Sequence, residues 1–128
     1  MQTDKTDIAA TAMLNLSNQH KQGNIKLSKT FYDALSFKLN DNETTVTTRL
    51  TMIGIIGRLK QTSSIDIIRK LIKETKSATI RRTSIGTLGI IGEEDDIYLL
   101  KKYEFSKTKY VALAAKAALK KIRARVYK

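Results

Sequence analysis

Apolar residues recur along this chain at intervals of three and four, the spacing of one face of an α-helix. Ile8, Ala12 and Leu16 set that spacing over residues 6–20, with Asp7 placed as a cap or first-turn acid. Residues 21–26 contain Gly23-Asn24 and read as a loop. Ser28 then stands as the cap of a second helix whose face is Phe31, Leu35 and Leu39, with Tyr32 on its flank. Asn40-Asp41-Asn42-Glu43 turns the chain, because Asn and Asp side chains bond their own backbone and tolerate unusual dihedrals. Thr44 or Thr45 opens a third helix, with Val46, Leu50, Ile53 and either Ile56 or Leu59 inward. Its threonines are indifferent helix formers, and residues 44–51 read alone resemble a strand. The three-and-four spacing predicts a helix.

Thr62-Ser63-Ser64 caps the fourth helix, which turns Ile65, Ile68, Leu71 and Ile72 inward and Arg69, Lys70, Lys73 and Lys76 outward. Ser77-Ala78-Thr79 leads into a fifth helix over residues 80–91. Glu93-Glu94-Asp95-Asp96 places acid at the start of the sixth, where a helix dipole favours it, and Ile97, Leu100 and Tyr103 supply its face. Ser106 or Thr108 begins the last helix, with Val111, Ala114, Ala115, Ala118 and Ile122 inward. The result is an all-α chain: an N-terminal helix followed by three helix pairs. The short connections make sequence neighbours antiparallel neighbours in space.

Two of these helices share a sequence. Residues 45–57, TVTTRLTMIGIIG, match residues 80–92, IRRTSIGTLGIIG, thirty-five positions on, and Gly54-Ile55-Ile56-Gly57 falls unchanged on Gly89-Ile90-Ile91-Gly92. At an offset of thirty-one, Val111, Leu119 and Ile122 fall on Ile80, Leu88 and Ile91. Self-similarity at such a period indicates a repeat array in which each helix pair buries its face against the next. Glycine inside a helix costs about 1 kcal/mol relative to alanine, so its recurrence needs a cause. Termination suits Gly57 and Gly92; close helix packing suits Gly54, Gly86 and Gly89. In the third copy the two glycine positions become Lys120 and Arg123, which predicts a polar cap on which no further repeat packs.

The residues resemble HEAT repeats of the short kind, whose second helix reads V-R-x-x-A-A-x-A-L-G-x-I-G. Ile80-Arg81, Ser84-Ile85, Leu88-Gly89 and Ile91-Gly92 match most fully; the first copy carries Thr45-Val46 in place of Val-Arg, and the third is rich in alanine (Ala114, Ala115, Ala117, Ala118). Asp41 stands where the family often has an acidic residue. The resemblance implies a small α-solenoid of about three HEAT-like pairs, residues 28–60, 62–92 and 93–126, behind the 6–20 helix, as one domain over 1–128. It also implies that the second helices line a concave surface used for partners, and that Arg81 bonds an inter-helix turn.

Composition narrows the function classes. The chain has no cysteine, proline or tryptophan, which excludes a disulfide framework and a thiolate metal site. It has no apolar run long enough to span a membrane and no basic-then-apolar leader, so a cytoplasmic protein without a membrane role is expected. The formal charge is +12, unevenly placed: residues 101–128 hold ten Lys and Arg against the single carboxylate Glu104. Such asymmetry speaks of partners rather than fold.

No catalytic constellation is visible. The glycine series is not G-x-G-x-x-G and is followed by no Gly-Lys-Ser/Thr, so a phosphate loop is not indicated. His20 is a single histidine beside a loop, without a partner to make it a base. Glu93, Glu94, Asp95 and Asp96 could hold a hard cation, but first-turn acids are the plainer account. Neither catalytic nor metal-ligating nor cofactor-binding residues are assigned. The expectation is a non-enzymatic scaffold that binds an acidic protein partner through Arg49, Arg82, Lys109, Lys116, Lys120 and Arg123, with Lys73 and Lys102 extending the basic stripe. The alternative is contact with a DNA or RNA phosphate backbone through the basic last repeat. Beside Lys109, Lys116, Lys120 and Arg123 the sequence sets Tyr110 and Tyr127, which by themselves argue against a base-stacking platform.

Overall fold

The computed structural model describes residues 14–15, 18–19, 33, 37–39, 41 and 44–127. The 6–20 helix, the 21–26 loop, the Ser28 cap, His20 and most of the second helix lie outside the described residues, though Leu39 of that helix is buried as expected. Five α-helices follow: α1 (Val46–Arg58), α2 (Ile65–Glu74, entered through a 3-10 turn at Thr62–Ser64), α3 (Ala78–Ile91), α4 (Asp96–Lys101) and α5 (Lys109–Val126). The architecture is all-α, with no strand among the described residues. The threonine-rich start of α1 is helical, as its spacing predicts.

The helices form two layers. Central α3 packs on α1, α2 and α5, and α4 packs on α5. The inner helices α1, α3 and α5 lie side by side, and α2 and α4 cover α3 and α5 from outside. Between them runs one core, containing Met52, Ile56, Ile68, Ile72, Ile85, Leu88, Leu100, Leu119 and Ile122. Burying each such side chain contributes about 1.5–3 kcal/mol, and no single pair could collect that from its own face alone.

The starts of α1 and α3 are built alike. Thr45 Oγ1 accepts from Thr48 N (3.2 Å), and Ser77 Oγ accepts from Ile80 N (3.2 Å). These caps are thirty-two residues apart, and this offset, rather than thirty-five, is the structural period. It pairs buried Thr48, Met52, Ile53, Ile55 and Ile56 with buried Ile80, Ser84, Ile85, Thr87 and Leu88. At thirty-five, buried Ile55 would be matched to exposed Ile90, and exposed Gly54 to buried Gly89. The two G-I-I-G runs are therefore out of step: the last glycine of the first, Gly57, corresponds to the first glycine of the second, Gly89. A slip of three residues is nearly one helical turn, so an apolar face spaced by three and four looks almost unchanged by it. In the corrected register Thr48-Arg49, not Thr45-Val46, stands at the family's Val-Arg position. Val46 lies on the solvent side, 48% exposed, rather than inward.

The glycine roles change with the register. Gly57 does not end α1; it lies inside it, where a Cβ would meet Thr87 Oγ1 at 3.2 Å and Ile90 Cδ1 at 3.3 Å. The helix stops at Lys60, whose φ of 52° is left-handed, with Lys60 N donating to Gly57 O and Gln61 N to Ile56 O. Gly89 is the close-packing glycine expected: a Cβ there would stand 2.9 Å from Ala118 Cα. A Cβ on Gly54 or Gly86 would have no neighbour within 4 Å, so helix packing does not account for these two. Gly92 does close α3, and a Cβ on it would clash with the Leu88 carbonyl and Ile122.

Candidate functional site

Charge is sorted by layer. The inner helices hold ten cations, namely Arg49, Arg58, Arg81, Arg82, Lys109, Lys116, Lys120, Lys121, Arg123 and Arg125, and no Asp or Glu. They therefore carry +10 of the chain's +12. None has an acidic residue in its first turn, where one would stabilise it by about 0.3–1 kcal/mol. Lys109 even places a cation at that end of α5.

Three of the ten arginines and lysines are tied to backbone. Arg81 Nε donates to Ile72 O (2.9 Å) and its Nη2 to Thr75 O, while its guanidinium lies 5.5 Å from the Tyr103 ring centroid. This is the turn-bonding role the resemblance implies. Arg49, its counterpart at an offset of thirty-two, donates through Nη2 to Asp41 O. The structure thus sets Arg49, half-buried and turned to the chain before α1, apart from the other expected contact residues. Arg125 donates to Gly89 O (2.7 Å) and Gly92 O (2.9 Å), bonding the last carbonyls of α3.

The remaining cations fall on two surfaces. One is the face of the inner layer that the outer helices leave open. Its floor holds Gly54 and Gly86 with Ala117 in the corresponding place on α5, and its borders hold Arg58, Arg82, Ile90, Tyr110 and Lys121, all exposed. Arg82 stands 5.9 Å from the Tyr110 ring centroid. Arg58 and Lys121 are not among the expected contacts; Arg58 falls on the position of Ile90 only in the thirty-two-residue register, and Lys121 falls there at the offset of thirty-one.

The second surface is the outer edge of α5. At about 100° per residue, Lys109, Lys116, Lys120 and Arg123 lie within about 60° of one another. They oppose the side that meets α3 through Ala118, Ile122 and Arg125. Four of the six expected contact residues are thus brought together, on this edge rather than on the open face. At an offset of thirty-one, Lys116 and Lys120 replace buried Ile85 and Gly89. Phe105, from the connection before α5, is 83% exposed, and Lys116 Nζ lies 5.8 Å from its ring centroid. Phe105 and Lys116 are eleven positions apart in sequence, and the fold joins them.

Lys73 and Lys102 do not extend this edge. They line a crevice of the outer layer with Arg69, Glu93, Asp95, Asp96, Tyr98 and Leu99. There Asp96, 2% exposed, accepts from Arg69 Nε (2.7 Å), Arg69 Nη2 (3.0 Å) and Glu93 N (2.8 Å). The hydrogen bond to Asp96 holds the Arg69 guanidinium above its already high ordinary pKa, against the opposing effect of burial. Arg69 is therefore not an outward cation but half of a pair joining α2 to α4. The acidic cluster is divided accordingly: Asp96 serves the helix start and this pair, while Glu93, Glu94 and Asp95 are exposed. Among the described residues no group of His, Cys, Asp and Glu could hold a metal ion, and no helix is long and apolar enough to cross a membrane.

Comparison with known proteins agrees with this architecture. No curated protein and no solved structure gives a match to the chain. The profile of HEAT repeats matches residues 33–120, which takes in α1 to α4 and most of α5. Two helix layers, repeated caps, a turn-bonding arginine in successive repeats and that match together place this chain in the HEAT-repeat family.

Proposed function

We propose that this protein is a non-enzymatic scaffold that takes an acidic protein partner on the open face of its inner helices. HEAT repeats generally mediate protein interactions or scaffolding, and the family is typically non-enzymatic. The observation that supports an acidic partner is the sorting of charge: α1, α3 and α5 hold no carboxylate, and Arg58, Arg82 and Lys121 border this face. A surface with one sign of charge raises the encounter rate with an opposite one and penalises partners of like charge. Gly54, Gly86 and Ala117 keep the middle of the face low, so a partner reaches the helix backbones while Arg58, Arg82 and Lys121 flank it.

The test is affinity capture from the native host, after nuclease treatment, with wild-type protein and an Arg58→Glu, Arg82→Glu, Lys121→Glu variant. An acidic protein that survives nuclease, crosslinks to this face and is lost with the variant is the expected result. Identical capture by both proteins, or complete loss of partners on nuclease treatment, refutes the reading.

A further inference from the structure

We infer that the outer edge of α5, together with Phe105, is a binding site for single-stranded nucleic acid. This edge is separate from the open face proposed for a protein partner. From Lys109 to Arg123 it is about 21 Å long, at about 1.5 Å per residue, and four cations line it. The carboxylate of Glu94 reaches it at its far end, where Glu94 Oε1 accepts from Tyr127 Oη at 3.2 Å.

Cations alone do not choose among anions; the ring beside them does. Phe105 keeps 83% of its surface in water, an unfavourable place for a side chain whose burial is worth about 1.5–3 kcal/mol. Lys116 occupies the neighbourhood of the ring at 5.8 Å, and Leu113 (51% exposed) lies on the same edge. An aromatic ring next to an ammonium offers a stacking surface and a phosphate contact within one nucleotide's reach. A duplex hides its base faces in its own stack and can use only the lysines. A carboxylate-rich peptide likewise satisfies the charge and has no use for the ring. An unpaired strand uses both.

Fluorescence anisotropy with the full chain tests this, using a labelled single strand about a dozen nucleotides long, the matching duplex, and an oligoglutamate as competitor. The single strand should bind more tightly than the duplex. Phe105→Ala should weaken it about tenfold without changing its salt dependence. Lys120→Gln should instead reduce the slope of log affinity against log salt by about 0.7. Phe105 and Lys120 are both exposed, so these variants retain the core. Equal or tighter duplex binding overturns the inference, as does an unaltered affinity in Phe105→Ala. Displacement of the strand by oligoglutamate at equal charge concentration overturns it in favour of an acidic protein.

Discussion

Gly57 and Gly89 occupy the same place in successive inner helices, Gly57 turned onto Thr87 of α3 and Gly89 onto Ala118 of α5. The second contact is the closer, with room for no side chain at all; the first leaves a Cβ at 3.2 Å from Thr87 Oγ1, which is itself held by a hydrogen bond donated to Ile53 O (3.1 Å). Gly89→Ala should therefore destabilise the protein by about 1–3 kcal/mol through overpacking. Gly54→Ala and Gly86→Ala, which meet nothing, should each stabilise it by about 0.5–1 kcal/mol through lower chain entropy in the unfolded state. Chemical denaturation of the three variants checks this. If Gly54→Ala and Gly89→Ala behaved alike, the thirty-two-residue register would be wrong.

Lys60 ends α1 in a left-handed conformation, at a position that most often belongs to glycine. The Cβ in that conformation costs about 1–2 kcal/mol. Lys60→Gly should recover about 1 kcal/mol of it, the rest being offset by glycine's greater freedom when unfolded. The expected reading is a higher denaturation midpoint with an unchanged slope. A lower midpoint would contradict the geometry assigned to this turn.

These two predictions also show how far the sequence is legible. Helix positions follow from apolar spacing and the repeat array from the thirteen-residue match, because burial against a neighbour is the same requirement in every repeat; the solenoid itself is what the resemblance to HEAT repeats implies. The register does not follow, because G-I-I-G read at three-residue slip still presents an apolar face. The cap residues Thr45 and Ser77 settle it, and as short polar residues before a helix they carry the better signal. Arg69 reads as outward because it lies on the polar side of its own helix; its partner Asp96 is twenty-seven residues away. Phe105 escapes a sequence reading for the same reason. Local periodicity describes which side of a helix a residue is on, not what another helix brings to that side.

Ser84 is fully buried and its hydroxyl has no hydrogen-bond partner. Its counterpart in α5 is Ala115, also buried. An unsatisfied buried hydroxyl costs about 1–3 kcal/mol, and alanine is the better helix former. Ser84→Ala should stabilise the protein by about 1 kcal/mol, measured by thermal or chemical denaturation. A destabilised variant would mean that the hydroxyl is satisfied in solution, by water or by a shifted carbonyl.

Asp96 is held by Arg69 across the α2–α4 boundary, and the two partners differ in their surroundings: the side chains are 3% and 26% exposed respectively. Removing the arginine leaves a buried carboxylate with Glu93 N as its remaining hydrogen-bond donor. Arg69→Ala should cost about 3 kcal/mol, and Arg69→Ala combined with Asp96→Ala should cost less than the single change. By contrast Arg82→Ala, at an exposed position beside Tyr110, should change stability by less than about 0.5 kcal/mol. A double-mutant cycle with a coupling near zero would show that Arg69 and Asp96 act independently.

Lys116 and Lys120 stand where α3 has Ile85 and Gly89, so the edge of α5 differs from a stacking surface by few side chains. Restoring those residues with Lys116→Ile and Lys120→Gly removes two charges and flattens a helix side that already shows Leu113 to solvent. Repeat arrays require a polar outer face on their terminal repeats, and an exposed apolar one invites association. The double variant should remain helical, because the buried face of α5 is untouched, and should self-associate more than the wild type. Sedimentation equilibrium at several concentrations, with circular dichroism to confirm folding, reads both. A variant as folded and no more associated than the wild type would show that the lysines do not serve to cap the array, leaving ligand contact as the account of this edge.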